Sequence, residues 1–223
     1  MIGTLNEGLL HAQLKDWYAV DGDLLEQPVD GYVIDIVRGE LLIEIQTGGF
    51  APLRKKLDRL LNDHAVRMVA PIARERRIMK MDPAGEVLSS RRSPKHGRIE
   101  DIFARLVSIP TLMGRDGFEV EVLLTIEDEY RVHQPGKAWR RNGWVITGRA
   151  LDRVEQSTLL SSTGDLTELL PGDLPEPFTT ANLAEQAGVP RRLAQQTVYC
   201  LRELNAIEII GKTGNSIEYA RVG

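Results

Sequence analysis

Leu9, Leu10, Leu14 and Trp17 recur at helical spacing and predict a helix over residues 4–20, with Thr4 as its N-cap. A turn-rich stretch follows, DGDLLEQPVDG, which reads as a connector. Two runs rich in β-branched residues come next, YVIDIV (32–37) and ELLIEIQ (40–46), parted by Arg38-Gly39 as in a tight hairpin. After the break at Thr47-Gly48-Gly49, residues 51–63 predict a second amphipathic helix with Pro52 in its first turn. VRMVAPI (66–72) has the pattern of a buried strand. A helix lying between two strands predicts a crossover and some parallel pairing.

Further along, residues 99–109 look helical, 118–132 alternate like an acidic strand, and 145–160 hold strand-like stretches. Residues 161–177 read as a linker, because Pro, Gly and Asp recur there without helical periodicity. Beyond it come a short helix (180–187), a turn at Gly188-Val189, a longer helix (190–204) opened by Pro190, and a strand–turn–strand. The predicted organisation is therefore an α/β domain over 1–160, a linker over 161–177, and a small α+β domain over 178–223.

The chain has 223 residues and a net charge of −4, too acidic to coat nucleic acid through bulk charge, so any such contact must be local. Cys200 is the single cysteine, which excludes an internal disulfide and a cysteine zinc site. The first residues lack a basic leader followed by an apolar run, and no apolar run reaches the length of a membrane span. A cytoplasmic protein without a membrane partner is the expectation. Phosphate loops of the Walker and dinucleotide types and a GxSxG elbow are absent, and His11, His64, His96 and His133 lack zinc-motif spacing.

The chemistry concentrates in four residues. Asp35 interrupts one apolar strand; Glu44 and Gln46 interrupt the next and face the same way. If the hairpin closes at Arg38-Gly39, Asp35 and Glu44 are neighbours across it. Carboxylates inside apolar strands are costly unless paired or bound to a cation. Magnesium and other hard cations prefer such oxygen ligands. Glu7 on the first helix completes the set, and His11 shares its helix face one turn later.

With Glu7 on a helix, Asp35 on a strand, Glu44-Ile45-Gln46 on the next, then a helix and a strand, the first 72 residues resemble the PD-(D/E)xK, restriction-endonuclease-like nuclease superfamily. The resemblance implies a mixed sheet flanked by helices. It implies Mg2+ or Mn2+ held by Asp35, Glu44 and the Ile45 carbonyl, with Glu7 assisting, and Gln46 at the position that orients the attacking water. That position usually holds Lys, so Gln46 is a departure; Lys55 or Lys56 on the second helix is placed to restore the charge. Another departure is that no Pro immediately precedes Asp35. The resemblance admits a homodimer.

The last 46 residues, through FTTANLAEQAGVPRRLAQQTVYCLRELNAIEIIG, resemble the winged helix-turn-helix superfamily. Such readers place the start of the second helix in the DNA major groove. Here Arg191 and Arg192 are expected on phosphates or guanine edges, Gln195 and Gln196 on adenine, and Lys212 at the wing tip on the backbone. Between the two units, residues 74–98 carry eight basic against three acidic side chains, including Arg91, Arg92, Lys95 and Arg98, which read either as a cleft wall or as a solvated face. Trp139 and Trp144 flank Arg140-Arg141 in a basic turn and are expected mainly to pack in the core. The expected function is metal-dependent hydrolysis of phosphodiester bonds in nucleic acid, with DNA the expected form, delivered by the C-terminal unit. The alternatives are a non-catalytic DNA-binding regulator or scaffold on the same fold, and a protein-interaction adaptor.

Overall fold

A computed structural model describes residues 8–222. Its central feature is a mixed sheet with six strands side by side and a further short strand paired to the fourth. β1 (Leu24–Val29), β2 (Tyr32–Arg38) and β3 (Leu41–Ile45) form an antiparallel meander. The two-residue turn Gly39-Glu40 closes β2 on β3, with Gly39 at φ +58°, a conformation that favours glycine. α2 (Arg54–Leu60) then crosses over, and β4 (Ala65–Met81) runs parallel to β3, as the strand–helix–strand pattern predicts. β6 (Phe118–His133) lies parallel to β4, and β7 (Trp144–Leu160) antiparallel to β6.

β4 is much longer than VRMVAPI. It continues through RERRIMKM, a stretch whose charges read as a basic run, because acidic β6 lies alongside. Arg67 reaches Glu119 and Glu121, Arg76 reaches Glu127, and Arg77 reaches Asp128. Opposite charges across adjacent strands satisfy one another. Those arginines are therefore structural members of the sheet.

One edge of β4 is shared by two short strands. β3 covers it up to Val69, and β5 (Val87–Arg92) covers it again from Arg77. The stretch between is closed by other means. Gly97 N–H donates to the Ala73 carbonyl at 2.9 Å, and the Arg105 guanidinium donates to the Pro71 carbonyl. Strand N–H and C=O groups of one residue leave on the same side, so the missing N–H of Pro71 falls on this strandless stretch, where it breaks no ladder.

Helices cover both faces. α1 (Leu9–Tyr18) buries Leu10, Leu14 and Tyr18 against Ile36, Ile43, Ile45, Val69 and Leu123. Leu9 and Trp17, expected in that stripe, are instead exposed; the buried stripe is displaced by one residue. The predicted cap Thr4 lies outside the described residues. On the opposite face sit α2, the short α3 (Phe103–Leu106) inside the predicted 99–109 helix, and the C-terminal elements. The turn-rich stretch 21–31 contains β1, an edge strand with Glu26 at positive φ, and the turn after it, with Asp30 at positive φ.

Residues 161–177 do not form an open tether. They contain α4 (Thr163–Thr167), capped by Ser162, and bury Leu166, Leu170 and Leu174. α5 (Thr180–Gln186) starts at Thr179, whose hydroxyl accepts from the Ala181 and Asn182 N–H groups. α6 (Arg191–Glu203) follows the Gly188 turn, and β8 (Ile207–Thr213) and β9 (Ser216–Arg221) form the hairpin. α6 buries Leu193, Ala194, Val198, Cys200 and Leu201 in the same apolar cluster as α2, α3 and the sheet. Cys200 Sγ lies 3.9 Å from the Phe103 carbonyl oxygen.

Two predictions follow from this packing. A Cβ on Gly97 would meet the Ala73 carbonyl oxygen at 2.4 Å, so Gly97→Ala should lower unfolding free energy by about 1–3 kcal/mol in urea titration. Burial, with Glu203 nearby, pushes the Cys200 thiol up to about 12, so it should resist alkylation at pH 8 until denaturant unfolds the chain. Rapid alkylation of the native protein would contradict the docking of α6 on α3.

Candidate functional site

The hairpin β2–β3 brings the sequence-predicted acids together. Asp35 and Glu44 each lie one residue beyond the Ile36–Ile43 ladder pair, towards the open end of the hairpin. α2 then places Lys56, and α1 places His11 and Lys15, around a cleft of about 470 Å3. Gln46 and Thr47, just past the end of β3, line its floor.

The two acids have different surroundings. Asp35 Oδ2 accepts the Ile45 N–H at 2.8 Å and lies 3.2 Å from His11 Nε2. Burial works to raise its carboxyl, but the hydrogen bonds from His11 and Ile45, aided by the His11 and Lys56 charges, outweigh it and hold the group below its ordinary range. An ionised carboxylate only accepts, so His11 donates here. Glu44 is more deeply placed, its side chain 8% exposed, and takes a short hydrogen bond from Lys56 Nζ, which also donates to the Val33 carbonyl at 2.6 Å. Burial pushes Glu44 up to about 7; the Lys56 charge opposes the rise and the Asp35 charge adds to it. The cleft thus pairs a firmly ionised carboxylate with one poised near neutrality, an arrangement suited to cation binding or proton exchange.

Asp35, Glu44, Ile45 and Gln46 therefore share one site. Glu7 lies outside the described residues. His11, an incidental helix residue in the sequence, touches Asp35, and of the two candidate lysines Lys56 enters the cleft while Lys55 is exposed. The Gln46 side chain donates to the Gly49 carbonyl at 2.8 Å, which commits its amide to the following turn. Among the described residues, no three His, Cys, Asp or Glu side chains gather closely enough to cage a metal. Lys15 and Glu26, joined at 2.6 Å, line the cleft without any sequence signal beyond their types. Arg105 donates to the Gln46 carbonyl at 2.8 Å as well as to Pro71, tying the end of β3 to β4. An arginine isolated in a short helix gives no sign of this in the sequence.

At the C-terminus, Arg191, Arg192 and Gln195 are exposed, Gln196 is half-buried, and Lys212 is exposed on β8. Arg191 Nε donates to Thr180 Oγ1 at 3.1 Å. Tyr199 and Arg202, absent from the sequence-based set, continue the Arg191–Gln195 row along a groove of about 270 Å3 that the hairpin borders through Asn215 and Ile217. Trp139 is 78% exposed, contrary to the expectation of core packing, and stacks with Arg140 at 5.0 Å. Trp144 is partly buried, under Lys80 and against His133.

Lys56→Met tests the balance in the cleft. Without the ammonium, Glu44 loses both of its Lys56 stabilisers and its carboxyl rises further. The carboxylate penalty is absent below the ordinary glutamate range and grows as pH rises through and beyond 7. The substitution should therefore cost more at pH 8 than at pH 5, by up to about 1.4 kcal/mol, the free energy of keeping Glu44 protonated one unit above its parent value. Denaturant titrations at both pH values, with chelator present, measure it.

An uncharacterized protein of Treponema pallidum (strain Nichols) is 28% identical to this chain over 185 residues, covering 82% of this chain and 74% of its own length. No solved structure matches the chain. Residues 8–161, which span α1 to the end of β7, match the family described as Domain of unknown function (DUF8091), and the chain belongs to that family.

Proposed function

We propose that the chain is a metal-dependent, nuclease-like DNA-processing protein, with a restriction-endonuclease-like unit carrying the cleft and a winged helix-turn-helix unit as its DNA contact. The observation that carries this reading is the convergence of Asp35, Glu44 and the Ile45–Gln46 segment with Lys56 in one cleft. The order α1, the β1–β3 meander, α2 and parallel β4 supports it, as does the exposed row Arg191, Arg192 and Gln195.

The donor set fits a hard divalent cation, Mg2+ or Mn2+: two carboxylates at the open end of a hairpin, with the main-chain oxygen of Ile45 between the paired motif positions. When bound, such an ion makes a nucleophile of water at neutral pH and neutralises charge on the phosphoryl oxygens. Asp35, ionised and fixed by the Ile45 N–H and His11, would be one ligand, and Glu44, once its proton leaves near neutral pH, would be the other. Lys56 supplies the positive charge that Gln46 lacks and holds Glu44 in place. Arg105 fixes the Gln46 main chain, and so the position of Ile45.

The test is Mn2+ calorimetry beside a cleavage assay on plasmid and branched DNA, comparing the parent with Asp35→Asn and Glu44→Gln. Stoichiometric Mn2+ binding and cleavage should both fall to background in each variant, with DNA affinity within about threefold, or ~0.6 kcal/mol, of the parent. A parent that binds DNA but cuts none with either ion would favour the second reading, a non-catalytic DNA-binding scaffold. The commitment of the Gln46 amide to Gly49 is the observation that favours it.

A further inference from the structure

The strandless stretch of the β4 edge borders a second cavity, of about 230 Å3, which meets the carboxylate cleft at Thr47. Its walls carry Arg76, Lys95, Arg105 and Arg149, with Gly97 closing one side. Beneath it lie two carboxylates, Glu127 and Glu129, each only 2% exposed. Arg76 pairs with both, at 3.0 Å and 3.6 Å, while Arg131 and Arg149 reach Glu129 at 2.6 Å and 3.5 Å. Three arginines thus share two carboxylates. Among the described residues, Arg105 and Lys95 make no ion pair, and the one further acid on the wall, Asp101, is drawn to the Arg98 N–H. The cavity wall itself holds four cations against two acids, Glu127 and Asp101.

That surplus is built in. The buried glutamates fix the arginine side chains rather than discharging them all, and Arg105 is held by two carbonyl oxygens, which orient a guanidinium without neutralising it. Burial brings Arg105 down to about 10; the Glu127 and Asp101 charges oppose the fall and the neighbouring Arg149 charge adds to it. Arginine groups fixed in this way match the oxygens of a phosphoryl group.

We propose that this notch is a phosphoryl-binding subsite in which Arg105, Arg149 and Lys95 receive a phosphate oxyanion beside the carboxylate cleft. The anion is either a backbone phosphate of a nucleic-acid strand that runs over Thr47 or free inorganic phosphate. The first source rests on the nuclease reading; the second does not.

The experiment uses the full chain in chelator at constant ionic strength. Inorganic phosphate is titrated by calorimetry into the parent, Lys95→Ala, Arg149→Gln and, as a control on an exposed cation away from the notch, Lys137→Ala. The expected result is saturable binding at one site, weakened about tenfold in Lys95→Ala and Arg149→Gln and unchanged in Lys137→Ala. Lys95 is exposed at the mouth, so its variant reports even if Arg149→Gln, which removes a Glu129 partner, folds poorly. In a second arm, phosphate competes against a fluorescent DNA duplex read by anisotropy. Displacement of the duplex, together with weaker duplex binding by Lys95→Ala, assigns the notch to a backbone phosphate; binding without displacement assigns it to the free anion. Absence of saturable phosphate binding, or equal binding by the parent and both notch variants, overturns the proposal. Asp35→Asn should leave the phosphate titration unchanged, so failure of the metal reading is seen separately.

Discussion

A strand edge with no neighbour is a row of main-chain groups that must find partners, and in this protein that row lies in mid-sheet, between Val69 and Arg76 of β4. The molecule is arranged around meeting that demand. Pro71 removes one donor from the row, Gly97 supplies another from a chain segment that only a residue without a Cβ could bring so near, and Arg105 reaches in from α3. The same Arg105 holds the Gln46 carbonyl, so the repair of one strand sets the end of another. The position of Glu44-Ile45-Gln46 therefore depends on a residue some 60 positions later in the chain.

Much of this was legible beforehand where periodicity and burial agree. YVIDIV and LLIEIQ alternate cleanly, their turn has a glycine where positive φ is needed, and so Asp35 and Glu44 could be placed as neighbours. Legibility failed where charge replaces apolar periodicity. RERR looks like a solvated run until acidic β6 is laid beside it, a pairing 51 residues distant that no local window contains. Leu166, Leu170 and Leu174 were hidden among Pro, Gly and Asp because their spacing serves a surface made by other elements. Trp139 misled in the other direction: its size suggests a core, yet left-handed residues on both sides, Ala138 and Asn142, present it outward.

In the site itself, the acids were readable and their control was not. Asp35 and Glu44 are chemically similar groups on adjacent strands, yet one is held down by a histidine and a backbone N–H while the other is lifted by burial. That asymmetry arises from α1 and α2 lying on opposite sides of the hairpin, each lending one basic residue. Spacing along the sequence places the carboxylates; only the helix packing distinguishes them.

The continuity of the core carries a geometric consequence. Leu193, Val198 and Leu201 of α6 share their apolar cluster with Phe103 and Leu106, Arg98 donates to the Ala187 carbonyl at the α5–α6 corner at 2.6 Å, and the connector is packed down. The C-terminal helices are thus set into the body, unlike a hook on a string. Their exposed row is held at a fixed distance and angle from the Asp35–Glu44 cleft, like the two jaws of a caliper locked at one setting.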